Sequence, residues 1–163
     1  MKLNTATVFA VSLSLVVGAF GAPSKPKEPK KDPAVEAYNA GTEHLFDLEF
    51  PEAAEDLQRA IKEDSEMAAA HNNLAYALRK QGGDHFEEAL SHYNQAIKLD
   101  PELAEAFMYR GVLYVMMGND AAARKDRVTL QELSPELADE LGYVIENGKE
   151  KVPEQFFGVT AEK

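Results

Sequence analysis

Cysteine and tryptophan are both missing from the 163 residues. Without cysteine there is no disulfide, no thiolate metal centre and no cysteine nucleophile. A lipid anchor of the bacterial lipoprotein kind, which needs a cysteine at the cleavage point, is excluded as well. Positive charge is scarce: 17 Lys and Arg stand against 28 Asp and Glu. Lys2, Lys25, Lys27, Lys30 and Lys31 lie upstream of residue 33, with only Glu28 and Asp32 as their acidic company. The remainder carries 12 cations against 26 anions, a net charge of about −14. That charge repels phosphate backbones, so the chain reads as one with no nucleic-acid partner, and a neutral or basic polypeptide suits it better. Signatures of catalysis are lacking too: no glycine-rich phosphate loop, no nucleophile elbow and no motif pairing a base with an acid. The four His have no metal-ligand spacing, and the acidic clusters at 49–55 and 63–66 lack the alternation and glycine of a calcium loop. The chain is therefore read as non-enzymatic, with no cofactor, no metal and no small-molecule substrate.

The first residues read as an export signal. Met1-Lys2 give a positive start, Ala6 to Phe20 an apolar stretch, and Ala19-Phe20-Gly21 the small residues of a cleavage site. Cleavage after Gly21 is expected, with Ala19 also compatible. The stretch is shorter than the roughly 20 residues that span a bilayer, so a membrane contact follows only if the segment is retained. Residues 22–33 form a Pro/Lys-rich linker, extended and solvated. An exported location, periplasmic or secreted, is the expectation.

Residue types then recur at a fixed interval. Gly41 to Ala75 and Ala89 to Ala123 are each 34 residues, whereas Ala53 to Ala89 is 36. The two extra residues fall in the turn Gln81–His85, where an insertion costs little. Such a period marks stacked helix-turn-helix units. First helices are expected over Ala34–Asp47, Ala68–Gln81 and Ala104–Met117, and second helices over Phe50–Glu63, Phe86–Leu99 and Asp120–Leu133. Gly41, Ala75 and Gly111 coincide in the first helices, and Ala53, Ala89 and Ala123 in the second, where small side chains let antiparallel helices approach. Asp32-Pro33, Asp100-Pro101-Glu102 and Ser134-Pro135-Glu136 each read as a helix start, and Gly82, Gly118 and Gly148 as stops. A seventh helix, Pro135–Asn147, carries Leu137, Leu141, Val144 and Ile145 on one stripe and would cover the last unit. The units are 34–67, 68–103 and 104–135, with the capping helix at 135–147 and a tail at 148–163.

Ala70-His-Asn-Asn-Leu-Ala-Tyr-Ala-Leu78, with Phe86-Glu-Glu-Ala-Leu-Ser-His-Tyr-Asn-Gln-Ala-Ile-Lys-Leu-Asp-Pro101, resembles the tetratricopeptide repeat family. Ala106-Phe-Met-Tyr-Arg-Gly111 in the third unit and Phe50-Pro-Glu-Ala53 in the first resemble it too, although Ser65 stands where the family closes with proline. The resemblance implies an all-α, right-handed solenoid of three helical hairpins whose first helices line a concave groove. It places there Tyr38, Asn39, Thr42 and Phe46, then Asn72, Asn73, Tyr76, Arg79 and Lys80, and finally Glu105, Met108, Tyr109, Val112 and Met116. Such a mixture of amide, aromatic and thioether groups suits a peptide segment. In peptide-binding members an Asn at the position of Asn39 and Asn73 bonds the ligand main chain; Tyr109 replaces it in the third unit. The chaperone-tail clamp of the family has its places at Tyr38, Thr42, Asn73, Glu105 and Tyr109, where only Asn73 is kept and Glu105 would repel a carboxylate. The implied function is that of a protein–protein adaptor in the cell envelope. The competing expectation is a structural subunit of an envelope or secretion assembly, docked through the solenoid edges and the tail. An adaptor should lose its partner, yet stay folded, when Asn73 and Tyr76 become alanine.

Three smaller expectations complete the reading. Arg110 should pair with Asp126 on the neighbouring helix, as a near-core arginine is rarely unpaired. His71 and His44 align with apolar residues of other units and read as packing. Phe156 and Phe157 should fold back onto the solenoid, since adjacent exposed aromatics are a liability.

Overall fold

The computed structural model describes residues 32–151; the signal, linker and distal-tail expectations lie outside them. Seven α-helices are found there and no strand: α1 Pro33–Phe46, α2 Phe50–Glu63, α3 Ala68–Gln81, α4 Phe86–Leu99, α5 Ala104–Met116, α6 Asp120–Leu133 and α7 Pro135–Asn147. Consecutive helices pair as hairpins, α1 with α2, α3 with α4 and α5 with α6, and each hairpin stacks on the next. The last one is covered by α7, which packs on both α5 and α6. This is an all-α helical-hairpin solenoid. No described helix is long and apolar enough to cross a membrane.

Local chemistry explains most boundaries. Asp32 Oδ1 accepts the Ala34 N–H at 2.9 Å and Pro33 opens α1. Ser134 Oγ accepts from Leu137 N–H at 3.4 Å and Pro135 opens α7. The two-residue insertion forms a short 3₁₀ turn, Gly83–His85, between α3 and α4. Asp100-Pro101-Glu102 departs from expectation. Asp100 ends α4, its N–H donating to Ala96 C=O at 2.8 Å, and its side chain accepts the Glu102 N–H at 2.9 Å. That local turn consumes the side chain meant for a cap, so α5 waits until Ala104. Asp64 makes the same bond to the Glu66 N–H, also at 2.9 Å.

Gly82 and Gly118 end their helices at positive φ, 112° and 75°. Leu48 occupies the corresponding place in the first unit with φ 62° and is 66% exposed. A leucine pays about 1–2 kcal/mol for this conformation and buries little in return. Leu48→Gly, which adds back some unfolded-state entropy, should raise stability by about 0.5–1 kcal/mol, read as a higher melting temperature. A fall in melting temperature would show that Leu48 holds its turn by contacts of its own.

The core runs along the hairpin seams. Leu57, Leu74, Leu78 and Tyr93 are buried through the first two units, joined by Leu113 of α5, and Met108, Val112, Leu130, Leu137, Leu141 and Val144 around the third and its cover. Gly41 works as expected: a Cβ there would lie 2.7 Å from Leu57 Cγ on the paired helix. Gly111 serves a different neighbour. Its Cβ would meet Leu141 Cδ2 of α7 at 2.4 Å, so this glycine seats the capping helix.

Candidate peptide-binding face

The side chains assigned to the groove lie on α1, α3 and α5, and nine of the twelve principal candidates are buried. Tyr38, Thr42, Asn72, Asn73, Tyr76, Arg79, Met108, Tyr109 and Val112 are closed off from solvent, while Asn39, Lys80 and Glu105 are partly exposed. Phe46 and Met116 are exposed. An amide network explains the first group. Asn73 Nδ2 donates to the Tyr38 hydroxyl at 3.3 Å and to Thr42 Oγ1 at 3.4 Å, joining α3 to α1. Its Oδ1 accepts from Asn72 Nδ2 at 3.2 Å. Thr42 Oγ1 in turn donates to the Tyr38 carbonyl at 2.9 Å. Asn73 thus ties two repeat units together. Cutting both Asn73 and Tyr76 to alanine cannot be expected to leave the fold untouched, because each removes buried contacts between units.

An aromatic run follows along the same face. Tyr76 stands edge-on to Phe50 at 6.3 Å and to Tyr109 at 5.0 Å. The Arg79 guanidinium lies 5.1 Å from the Tyr76 ring and 5.6 Å from that of Tyr109. Lys80 Nζ is 5.7 Å from the Phe50 ring. Arg79 is among the most deeply buried side chains, and it is paired with Glu150, just beyond α7, by two hydrogen bonds of 2.9 and 3.1 Å. Burial opposes the charge on Arg79, but Tyr93 and Glu150 outweigh it and hold the guanidinium protonated. Burial pushes the Glu150 carboxyl up, whereas Arg79 and Lys80 pull it further down, so it stays ionised. Glu150 was invisible to the repeat alignment, since it lies outside every unit.

Elsewhere Arg110 and Asp126 meet as expected, Nε to Oδ2 at 3.0 Å, with Asn94 Oδ1 accepting from Nη1 at 2.8 Å. The guanidinium sits near the rings of Phe107 and Tyr114, a structural role. His71 is buried as read, but its partner is a surprise: His92 on α4, with the two Nδ1 atoms 2.9 Å apart. His71 Nε2 faces the Ser65 carbonyl at 3.2 Å, so it carries the proton and His92 Nδ1–H donates to His71 Nδ1. Burial lowers both pKa values, and His71 lowers that of His92 further, against Glu88. The pair therefore stabilises the fold fully above pH 6.5, and that contribution is lost as the pH falls below 6.5. His44 has the opposite sign, its pKa raised by hydrogen bonding to Glu49 despite some desolvation, but it is surface-exposed. Urea unfolding at pH 7.5 and 5.5 should show lower stability in acid, and His71→Phe with His92→Gln should flatten the difference. An unchanged pH dependence in that variant would exclude the pair as its source.

A family model for the TPR repeat matches residues 85–118, and a model for the tetratricopeptide repeat matches residues 38–85. The chain is a tetratricopeptide repeat protein. Among curated proteins, Hsp70-Hsp90 organizing protein 2 of Arabidopsis thaliana is 30% identical over 110 residues, 64% of this chain. The chain spans about a fifth of that relative's length, 19%. Among solved structures, the TPR2B domain of yeast Sti1, in a complex with pHsp70, is 26% identical with a TM-score of 0.64. It matches over 73% of this chain and 100% of the domain. The second TPR domain of human RPAP3, in complex with an HSP70 peptide, is 27% identical with a TM-score of 0.64, covering 71% of this chain and 96% of that one. The tetratricopeptide fold is one that serves protein–protein interaction.

Proposed function

We propose that this tetratricopeptide protein is a non-catalytic adaptor that captures a polypeptide segment along α1, α3 and α5. The carrying observation is the concentration on that face of groups that recognise peptides. Lys80 and Met116 stand at its accessible rim, above Tyr76, Arg79 and Tyr109. The Sti1 and RPAP3 domains, 26% and 27% identical to this chain, were solved as complexes with an Hsp70 ligand, which supports a polypeptide as the occupant here. The family's chaperone-tail clamp is a poor model for the ligand, because Tyr38, Thr42, Glu105 and Tyr109 bring no cation to its places. The reading of residues 1–21 puts the adaptor in the cell envelope. Mass spectrometry of the native protein should find a mature chain starting at Ala22.

Photo-crosslinking tests the face itself. A crosslinking amino acid at Lys80 or Met116 should capture a polypeptide in the native compartment, while one at the exposed Val128 of α6 should not. Equal capture from all three positions, or from Val128 alone, would overturn the groove reading.

A further inference from the structure

Gly148 ends α7 in a left-handed turn, φ 71°, with its N–H given to the Val144 carbonyl at 2.8 Å. Two residues on, Glu150 reaches 71 residues back along the sequence and clasps Arg79 with two parallel bonds. The Arg79 side chain is 1% exposed and that of Glu150 is 25% exposed. The guanidinium therefore forms the floor of a socket, walled by the Tyr76 and Tyr109 rings and the Met116 sulfur at 3.6 Å. The carboxylate is the plug at its mouth. The plug comes from a segment outside any helix, where Lys151 pairs with Glu140 at 2.7 Å and lies 5.1 Å from the Tyr143 ring. Beside the socket lies a cavity of about 310 Å³ lined by Val112, Val115, Met116 and Val144, with Gly148–Glu150 as one wall.

We infer that the Arg79 socket is a carboxylate-binding site for the partner, which the free chain fills with its own Glu150. The ligand class is a peptide bearing an acidic side chain beside an apolar one, the acid replacing Glu150 and the apolar group entering the cavity. The inference rests on the groove reading above. Exchange of one carboxylate for another leaves the buried guanidinium paired before and after, which avoids the large penalty of a lone buried charge. Planar bidentate geometry matches a carboxylate and gives the site its selectivity. The overall acidity of the chain is felt weakly at this spot, because it is screened over about 8 Å at physiological salt, while Lys80 and Lys149 lie close by. A latch closed nine-tenths of the time reduces apparent affinity about tenfold.

The test uses the full chain and a labelled, C-terminally amidated synthetic peptide copying residues 148–159, with a control peptide carrying glutamine in place of both Glu150 and Glu154. By fluorescence anisotropy, Glu150→Gln should bind the acidic peptide at least about tenfold more tightly than the wild type does. The control peptide should bind neither. Equal affinity of the two proteins for the acidic peptide, or of the two peptides for Glu150→Gln, would overturn the socket. In that event the groove reading stands or falls on its crosslinks at Lys80 and Met116. Should Glu150→Gln fail to fold, the wild type decides: the Arg79 Nε resonance should shift with excess acidic peptide and stay put with the control. A shift with both, or with neither, counts against the site.

Discussion

Leu141→Ala should lower the unfolding free energy by about 3 kcal/mol, within the roughly 2–5 kcal/mol seen when a buried leucine is cut to alanine. Leu141 is fully buried on α7, and its two δ-carbons fill the notch left by Gly111 on α5. Removing them leaves a void between the last hairpin and its cover, among Met108, Val112, Leu130 and Leu137. Gly111→Ala should also destabilise, by about 1–3 kcal/mol, because the new methyl would lie 2.4 Å from Cδ2 of the fully buried Leu141, which must shift to admit it. Together the two changes should cost clearly less than their sum, as the added methyl enters the vacated volume. Urea titrations of the two single variants and the double variant measure this coupling. Strict additivity would mean that Gly111 and Leu141 do not share one packing contact. Hydrogen exchange adds a spatial check: in a stack of repeats, the lost protection should concentrate in α5–α7 and spare α1 and α2.

The seams of this fold were legible because each is written in short-range signals. Phe50–Glu63, Phe86–Leu99 and Asp120–Leu133 are the expected second helices to the residue. They open after a turn and close before an Asp or Ser whose N–H donates to the carbonyl four residues back. The 36-residue interval pointed to Gln81–His85, and a 3₁₀ turn lies there. Asp100 misled, since the same Asp-Pro dipeptide can start a helix or close a turn, and the choice depends on where the backbone before it ends. The inner face was harder to read. Its residues lie on α1, α3 and α5, but spacing gives direction and says nothing about what covers a side chain. Asn73 looked like a ligand contact and is spent on Tyr38 and Thr42. Glu150 and the His71–His92 pair depend on contacts across 71 and 21 residues, and no local pattern encodes either.

Tyr76→Ala should be the most damaging change on the inner face, costing about 3–5 kcal/mol by analogy with other buried aromatic truncations. The ring is 4% exposed and stands where three units meet. Phe50 of the first hairpin touches one edge, Tyr109 of the third the other, and Arg79 lies over it. Each aromatic pair contributes about 0.5–1.5 kcal/mol beyond area burial, so the loss exceeds that of an isolated core side chain of equal size. The socket wall goes with it, and water reaches the Arg79–Glu150 pair, weakening an ion pair that depends on its low-dielectric surroundings. Tyr76→Phe keeps the ring and its edge contacts, and should retain most of the stability. Guanidinium unfolding of wild type, Tyr76→Ala and Tyr76→Phe separates ring from hydroxyl. If the alanine variant lost less than about 1 kcal/mol, the residue would be a surface of the groove and not a strut between its units. The expected larger loss means that peptide contacts here are made by a framework that must first hold itself together. Binding is then best probed at Lys80, Met116 and Glu150, whose side chains reach solvent.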